Sequence, residues 1–137
     1  MVKTKKTTSK RKSKNALNSK DLSCTFCTKC CIHVNQEIYS PENDDDCDYI
    51  IWFLLHENVV VWIDEDGYWF VEFKTPCKPL KNNKCTIYNK RPSVCRNYSE
   101  GNCLDKYGYD KKVHFNTPEQ FLRYMKKKKY NYNGYYK

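Results

Sequence analysis

Four thiols fall within eight positions at "CTFCTKCC", residues 24–31. Cysteines this close can pair as disulfides, hold a metal, relay electrons, or do nothing. The rest of the chain decides between these. Cys30 and Cys31 are adjacent, so a bond between them would be strained. The cysteines number nine, an odd count, and the basic stretch at residues 1–20 leads into no apolar segment of a secretory signal. We therefore expect a cytoplasmic chain, where thiols stay reduced. In that setting a high cysteine density reads as a metal site.

The other cysteines divide by context. Cys24, Cys27, Cys30 and Cys31 form one compact group. Cys77, Cys85, Cys95 and Cys103 form a second, strung through turn-rich sequence. Cys47 stands alone among acids. A Cys-x-x-Cys pair can bend its backbone so that both sulfurs face one ion. Cys24/Cys27 and Cys27/Cys30 both have that spacing. Eight thiolates suffice for two tetrahedral sites, or for one four-thiolate iron–sulfur cluster with the remainder structural. No Cys-x2–4-Cys is followed by His-x3–5-His, so the pattern is not that of a nucleic-acid zinc finger. His33, close to Cys31, is a further candidate ligand; His56 reads as structural.

Several elements must position these groups. "SPENDDDCDY" (40–49) is a polar loop whose Asp44, Asp45 or Asp46 can start a helix. "YIIWFLLHEN" (49–58) reads as that helix, mostly buried and ending near Asn58. "VVVWIDEDGYWFVEF" (59–73) predicts a hairpin: β-branched and aromatic arms around Asp64–Gly67, with Gly67 free to take positive φ. "KPLKNNKC" predicts a tight loop, and Pro92 suits the first turn of a short helix through Arg96. "NTPEQFLRYMKK" (116–127) carries a full start signal, with Thr117 as cap, Pro118 next and Gln120 closing a capping box. Trp52, Trp62 and Trp69 read as core, and "YNYNGYYK" as a frayed end. The sum is one small α+β domain, about 21–125, organised around a cysteine-bound metal centre, with one β-hairpin and a few short helices. A disordered basic arm (1–20) and a flexible Lys/Tyr-rich tail (126–137) flank it.

The net charge of +9 belongs to those flanks. Residues 1–20 hold eight Lys or Arg and residues 126–137 five Lys, with no acid in either. The middle is left at −4. Basic tails support non-specific contact with polyanions, or stacking of Tyr130, Tyr132, Tyr135 and Tyr136 on single-stranded nucleic acid, but not a folded basic face. No apolar run reaches the roughly 18 residues of a membrane span.

At "CTFCTKCC" and "CKPLKNNKCTIYNKRPSVCRNY" the chain resembles the cysteine-cluster family of zinc- or iron-chelating domains with a CxxCxxCC signature. That family has Cys-x2-Cys-x2-Cys-Cys near its start, later Cys-x2-Leu, a short gap, and Cys-x-Ile-Tyr-x2-Arg-Pro-x2-Cys-Arg followed by an aromatic residue, here Tyr98. Here the later part is Cys77, Leu80, Cys85, Ile87, Tyr88, Arg91, Pro92, Cys95 and Arg96. Thr28 departs from the Gly of many members. The likeness covers about residues 24–103. It implies metal chelation by Cys24, Cys27, Cys30, Cys31, Cys77, Cys85, Cys95 and Cys103, with zinc or an iron–sulfur cluster as cofactor. Cys47 lies outside the pattern. Arg91 and Arg96, beside Cys95, are expected to offset thiolate charge or to pair with the acidic loop. Flagellin lysine methylases look similar over the cysteine motif, which implies an iron–sulfur protein-modifying activity as an alternative. No glycine-rich adenosylmethionine loop follows a strand here, so no reaction is assigned. A zinc-stabilised module binding nucleic acid through its tails is the other alternative.

Overall fold

A computed structural model describes residues 29–97 and 113–137. The expected basic arm, Cys24, Cys27 and Cys103 lie outside the described residues. Strand β1 (His33–Ile38) leads to helix α1 (Asp44–Leu54), then strands β2 (Val59–Ile63) and β3 (Trp69–Lys74). A minimal hairpin follows, β4 (Leu80–Lys81) with β5 (Lys84–Cys85), then helix α2 (Ser93–Asn97). Strand β6 (Val113–Phe115) and helix α3 (Pro118–Lys127) complete the order. The main sheet is antiparallel in the order β1-β3-β2-β6. This is a small α+β domain.

Helix α1 starts five residues earlier than the apolar run suggests. Asn43, not an aspartate, is its cap, and its side chain accepts the Asp46 N–H at 2.9 Å. Asp46 in turn accepts the Glu42 N–H at 2.9 Å. Three first-turn aspartates add favourable charge at the positive end of the helix dipole. The helix ends at Leu54, and Asn58, at φ 62°, turns the chain into β2. Thr117 caps α3 through the Gln120 N–H, with Pro118 in the first turn. Gln120 reaches back to the Asn116 N–H, one residue before the cap. Both helices thus close their first turn reciprocally, satisfying donors that no helical carbonyl can reach.

The β2–β3 hairpin forms where the alternation of residue types places it. Asp64 is 2 % exposed and ties the turn: its carboxylate accepts the Tyr68 N–H at 2.8 Å and its carbonyl the Gly67 N–H at 3.1 Å. Gly67 sits at φ 86°, where an L side chain would be strained. One face of the sheet meets α1 and α3 in a core of Cys47, Ile50, Ile51, Leu54, Val61, Val71, Trp69, Phe115, Phe121 and Met125. Trp62 is buried on the opposite face, stacked on Phe70 at 4.3 Å with its Nε1–H donated to Asn35. Trp52 departs from the core expectation and is 54 % exposed, because the α1 stripe facing the sheet is Cys47–Ile50–Ile51–Leu54.

The carboxyl-terminal stretch, expected to fray, is docked. Tyr130, Tyr132 and Tyr136 pack against the core. The Tyr130 hydroxyl donates to Asp44 at 2.7 Å, Tyr132 donates to Asp48, and Tyr136 donates to Glu119 at 2.6 Å. The aspartates that start α1 therefore also hold the tail. Donating to Asp44 pushes the Tyr130 phenol up to about 12, with burial adding to the effect. A phenol raised above its unfolded value stabilises the docked tail fully below about pH 10. That contribution disappears as pH rises through about 12. In an ultraviolet titration, the unaltered protein should therefore show one more late-ionising tyrosine than Tyr130→Phe. Identical curves would show that the hydroxyl is not held by Asp44.

Candidate metal centre

The described cysteines of both groups meet at one end of the sheet. His33 pairs with Lys74 as the last rung of the β1–β3 ladder. Cys31 lies just before that rung and Cys77 just after it. The Cys77 N–H donates to the Cys31 carbonyl at 2.6 Å, bridging two segments 46 positions apart in the numbering. A tight turn follows, closed by the Leu80 N–H on the Cys77 carbonyl at 3.0 Å.

The β4–β5 hairpin then returns Cys85 opposite Leu80. Its two-residue loop, Asn82–Asn83, has φ of 48° and 59°. Two consecutive left-handed residues make the primed turn whose twist matches paired strands, and asparagine tolerates that conformation well. The Thr86 N–H and hydroxyl both donate to the Pro79 carbonyl, at 3.0 and 2.8 Å, locking the hairpin base. The expected tight loop is thus a small register device that fixes Cys85 relative to Cys77.

Cys95 arrives on α2, entered through a single turn at Tyr88–Lys90 and Pro92. Among the described residues, Arg91 and Arg96 bond to backbone carbonyls of this stretch, a role the expected charge offset or acidic-loop pairing did not include. Arg91 Nε–H donates to the Tyr88 carbonyl at 2.9 Å, and its guanidinium lies 3.7 Å from the Tyr88 ring centre. Arg96 Nε–H donates to the Arg91 carbonyl at 3.0 Å and its Nη2 group to the Asn89 carbonyl at 2.9 Å. These charged donors satisfy carbonyls that no regular element would pair, and so orient the turn carrying Cys95.

The other cysteines act on Cys31 electrostatically. Burial pushes the Cys31 thiol up. A hydrogen bond from the Cys30 thiol stabilises the Cys31 thiolate and works the other way. Charge on Cys77, Cys85 and Cys95 then raises it further. The Cys31 sulfur is therefore within electrostatic range of Cys77, of Cys85 on β5 and of Cys95 on α2. Repulsion among neighbouring thiolates is what a cation would relieve. Cys31, Cys85 and Cys95 are half-buried, while Cys30 and Cys77 are exposed. Among the described residues, no three His, Cys, Asp or Glu side chains converge tightly enough to hold an ion as placed.

Cys47 lies apart. It is fully buried on α1, and burial, reinforced by Asp44, Asp46 and Asp48, pushes its thiol up to about 11. That is the setting of a small core residue, not of a thiolate donor. His33 starts β1 beside the cysteines. His56 Nδ1 pairs with the Trp52 carbonyl at 2.7 Å, and His114 is paired in register with Trp62.

The sequence offered no strong signal for the part played by Arg91 and Arg96. Their donors serve irregular backbone, and irregular backbone has no periodicity to read. The docking of the tail left a better clue. Tyr130 and Tyr132 bond to the acids that the sequence shows only as the start of α1, and Tyr136 to Glu119 in the first turn of α3.

A family model described as "CxxCxxCC: Putative zinc- or iron-chelating domain" matches residues 23–128. The match runs past the last cysteine and takes in β6 and α3. Comparison with curated proteins and with solved structures gave no match. No helix among the described residues is long and apolar enough to cross a membrane.

Proposed function

The chain belongs to the CxxCxxCC family of zinc- or iron-chelating domains, and from that premise we propose that it holds zinc or an iron–sulfur centre through thiolates drawn from both cysteine groups. The carrying observation is the Cys77 N–H bond to the Cys31 carbonyl, which brings one cysteine of each group to the same end of the sheet. Cys31, Cys77, Cys85 and Cys95, with Cys24, Cys27, Cys30 and Cys103, are the ligand set. Thiolate is a soft donor that suits zinc, copper(I) and iron–sulfur clusters and not magnesium or calcium. The all-sulfur character of the gathered side chains therefore fits the group the family is described by. When bound, such a centre supplies a cross-link between segments that share few apolar contacts. The chain's own residues do the rest. The Asn82–Asn83 turn sets the position of Cys85, and Arg91 and Arg96 orient Cys95. The β1–β3 ladder brings Cys31 and Cys77 to the same end of the sheet.

Anaerobic purification without chelator, followed by elemental analysis, tests this. At least one zinc, or the iron of a cluster, is expected per chain. A broad visible absorption band identifies the iron–sulfur form, and colourless protein with zinc the other. Protein that is folded and free of both metals would overturn the reading.

A further inference from the structure

Strand β1 is an edge of the main sheet, and among the described residues no strand pairs with its outer side. Edges of this kind are usually blunted by lysine, proline, a bulge or short length. The opposite edge, β6, has only three residues. By contrast β1 has six, "HVNQEI", with neither lysine nor proline.

The direction of its backbone groups follows from the ladder. Lys74 N–H donates to the Asn58 carbonyl at 2.8 Å, so Lys74 faces β2. In an antiparallel sheet the residues of a strand alternate between neighbours. Phe73 therefore faces β1, where its partner is Val34. Val34, Gln36 and Ile38 spend their backbone groups on β3, and those of His33, Asn35 and Glu37 face outward. The Glu37 carbonyl accepts the Gln36 side-chain amide at 3.2 Å, in place of a strand.

These outward residues are complementary to themselves. If a second β1 runs antiparallel with Asn35 opposite Asn35, His33 meets Glu37 of the second copy, and Glu37 meets His33. The hydrogen-bonded rungs of that register are 33–37, 35–35 and 37–33, the same residues whose backbone groups face out. An imidazole then lies opposite a carboxylate twice, a pairing that favours strand association. Val34 meets Gln36 on the helix-bearing face, and Ile32, just before the strand, approaches Ile38. Val34 is 54 % exposed and Ile32 48 % exposed, so the pairing covers apolar surface that the helix layer leaves open. A two-fold axis through Asn35 also sets both α1 helices on the same side of the joined sheet. Their exposed Trp52 and Leu55 lie on that side.

We infer that β1 is a self-association edge: two copies of this chain join β1 to β1 antiparallel about Asn35, making one continuous eight-stranded sheet. The interface is isologous, as two-fold dimers require.

Light scattering after size-exclusion chromatography of the full metal-bearing chain tests it at high micromolar concentration. The expected mass is twice the 16.5 kDa of one chain. Glu37→Pro removes an N–H that the fold itself does not use, as edge strands tolerate. It should halve the mass with the circular dichroism unchanged. Glu37→Lys should also give monomer, and His33→Glu with Glu37→Lys should restore the dimer, because the pair is only exchanged. Should Glu37→Pro fail to fold, loss in Glu37→Lys and recovery in the double variant decide. A monomeric unaltered chain would overturn the inference, and so would a dimer that survives Glu37→Lys. Loss without recovery in a folded double variant would overturn the register.

Discussion

Cys95→Ser is expected to abolish stoichiometric metal binding and to leave little soluble folded protein. Serine preserves size but offers a hard, poorly ionised oxygen, which a soft-ligand site binds weakly. Structural zinc contributes about 10–16 kcal/mol of apparent binding energy in small peptides, against about 5–15 kcal/mol of net stability for a whole domain. If Cys95 is a ligand as proposed, losing it puts at risk a contribution as large as the fold itself. The Arg91 and Arg96 bonds to the carbonyls of Tyr88, Asn89 and Arg91 set the turn that carries Cys95. The matched control is Cys47→Ala, which should keep full metal. Cys47→Ser is a poorer control, because position 47 is fully buried and an added hydroxyl there costs about 1–3 kcal/mol if unpaired. Elemental analysis of both variants, purified side by side without chelator, gives the answer. Full metal in Cys95→Ser, or clear loss in Cys47→Ala, would remove Cys95 from the ligand set or add Cys47 to it.

What could be read in the sequence depended on how local the cause was. The β2–β3 hairpin was legible because alternation and Gly67 carry their instruction within a few residues. Helix α3 was legible for the same reason, its cap and proline being adjacent. The start of helix α1 was placed among Asp44–Asp46, and the cap is Asn43 just before them; five acids in 40–49 obscure which polar residue caps, and the end came earlier than Asn58, at Leu54. Strand β1 was missed: "HVNQEI" has two β-branched residues, and it is a strand because β3 pairs with it, not because of its own composition. Strand β6 is three residues long and depends wholly on β2. The tail was misread because its tyrosines are held by Asp44, Asp48 and Glu119, all contacts that are distant in sequence or made only in the fold. In the candidate site, the cysteine pattern was legible as that of the chelating family whose model matches residues 23–128. The meeting of Cys31 with Cys77 came from the sheet ladder, which spacing alone does not encode.

The second large effect lies away from the cysteines. Phe121→Ala is expected to destabilise the domain by about 3–5 kcal/mol, the usual cost of removing a fully buried phenylalanine. Phe121 is 0 % exposed and sits on the inner face of α3. Its ring meets Trp69 edge-on at 6.2 Å and Phe115 edge-on at 5.7 Å. It therefore joins α3 to β3 and β6 at once, and deletion leaves an aromatic cavity that two neighbouring rings cannot collapse into. A urea titration should show a lower midpoint with an unchanged slope, since the surface exposed on unfolding hardly alters. The same titration with and without chelator separates the apolar core from the proposed metal centre. If core and metal centre act independently, as sites more than about 7–10 Å apart usually do, the two losses add. If the apolar layer folds only once the cysteines are tied, the chelated protein has no cooperative transition left for Phe121→Ala to weaken. A cost below about 1 kcal/mol in the metal-bearing protein would show that α3 is not anchored through Phe121.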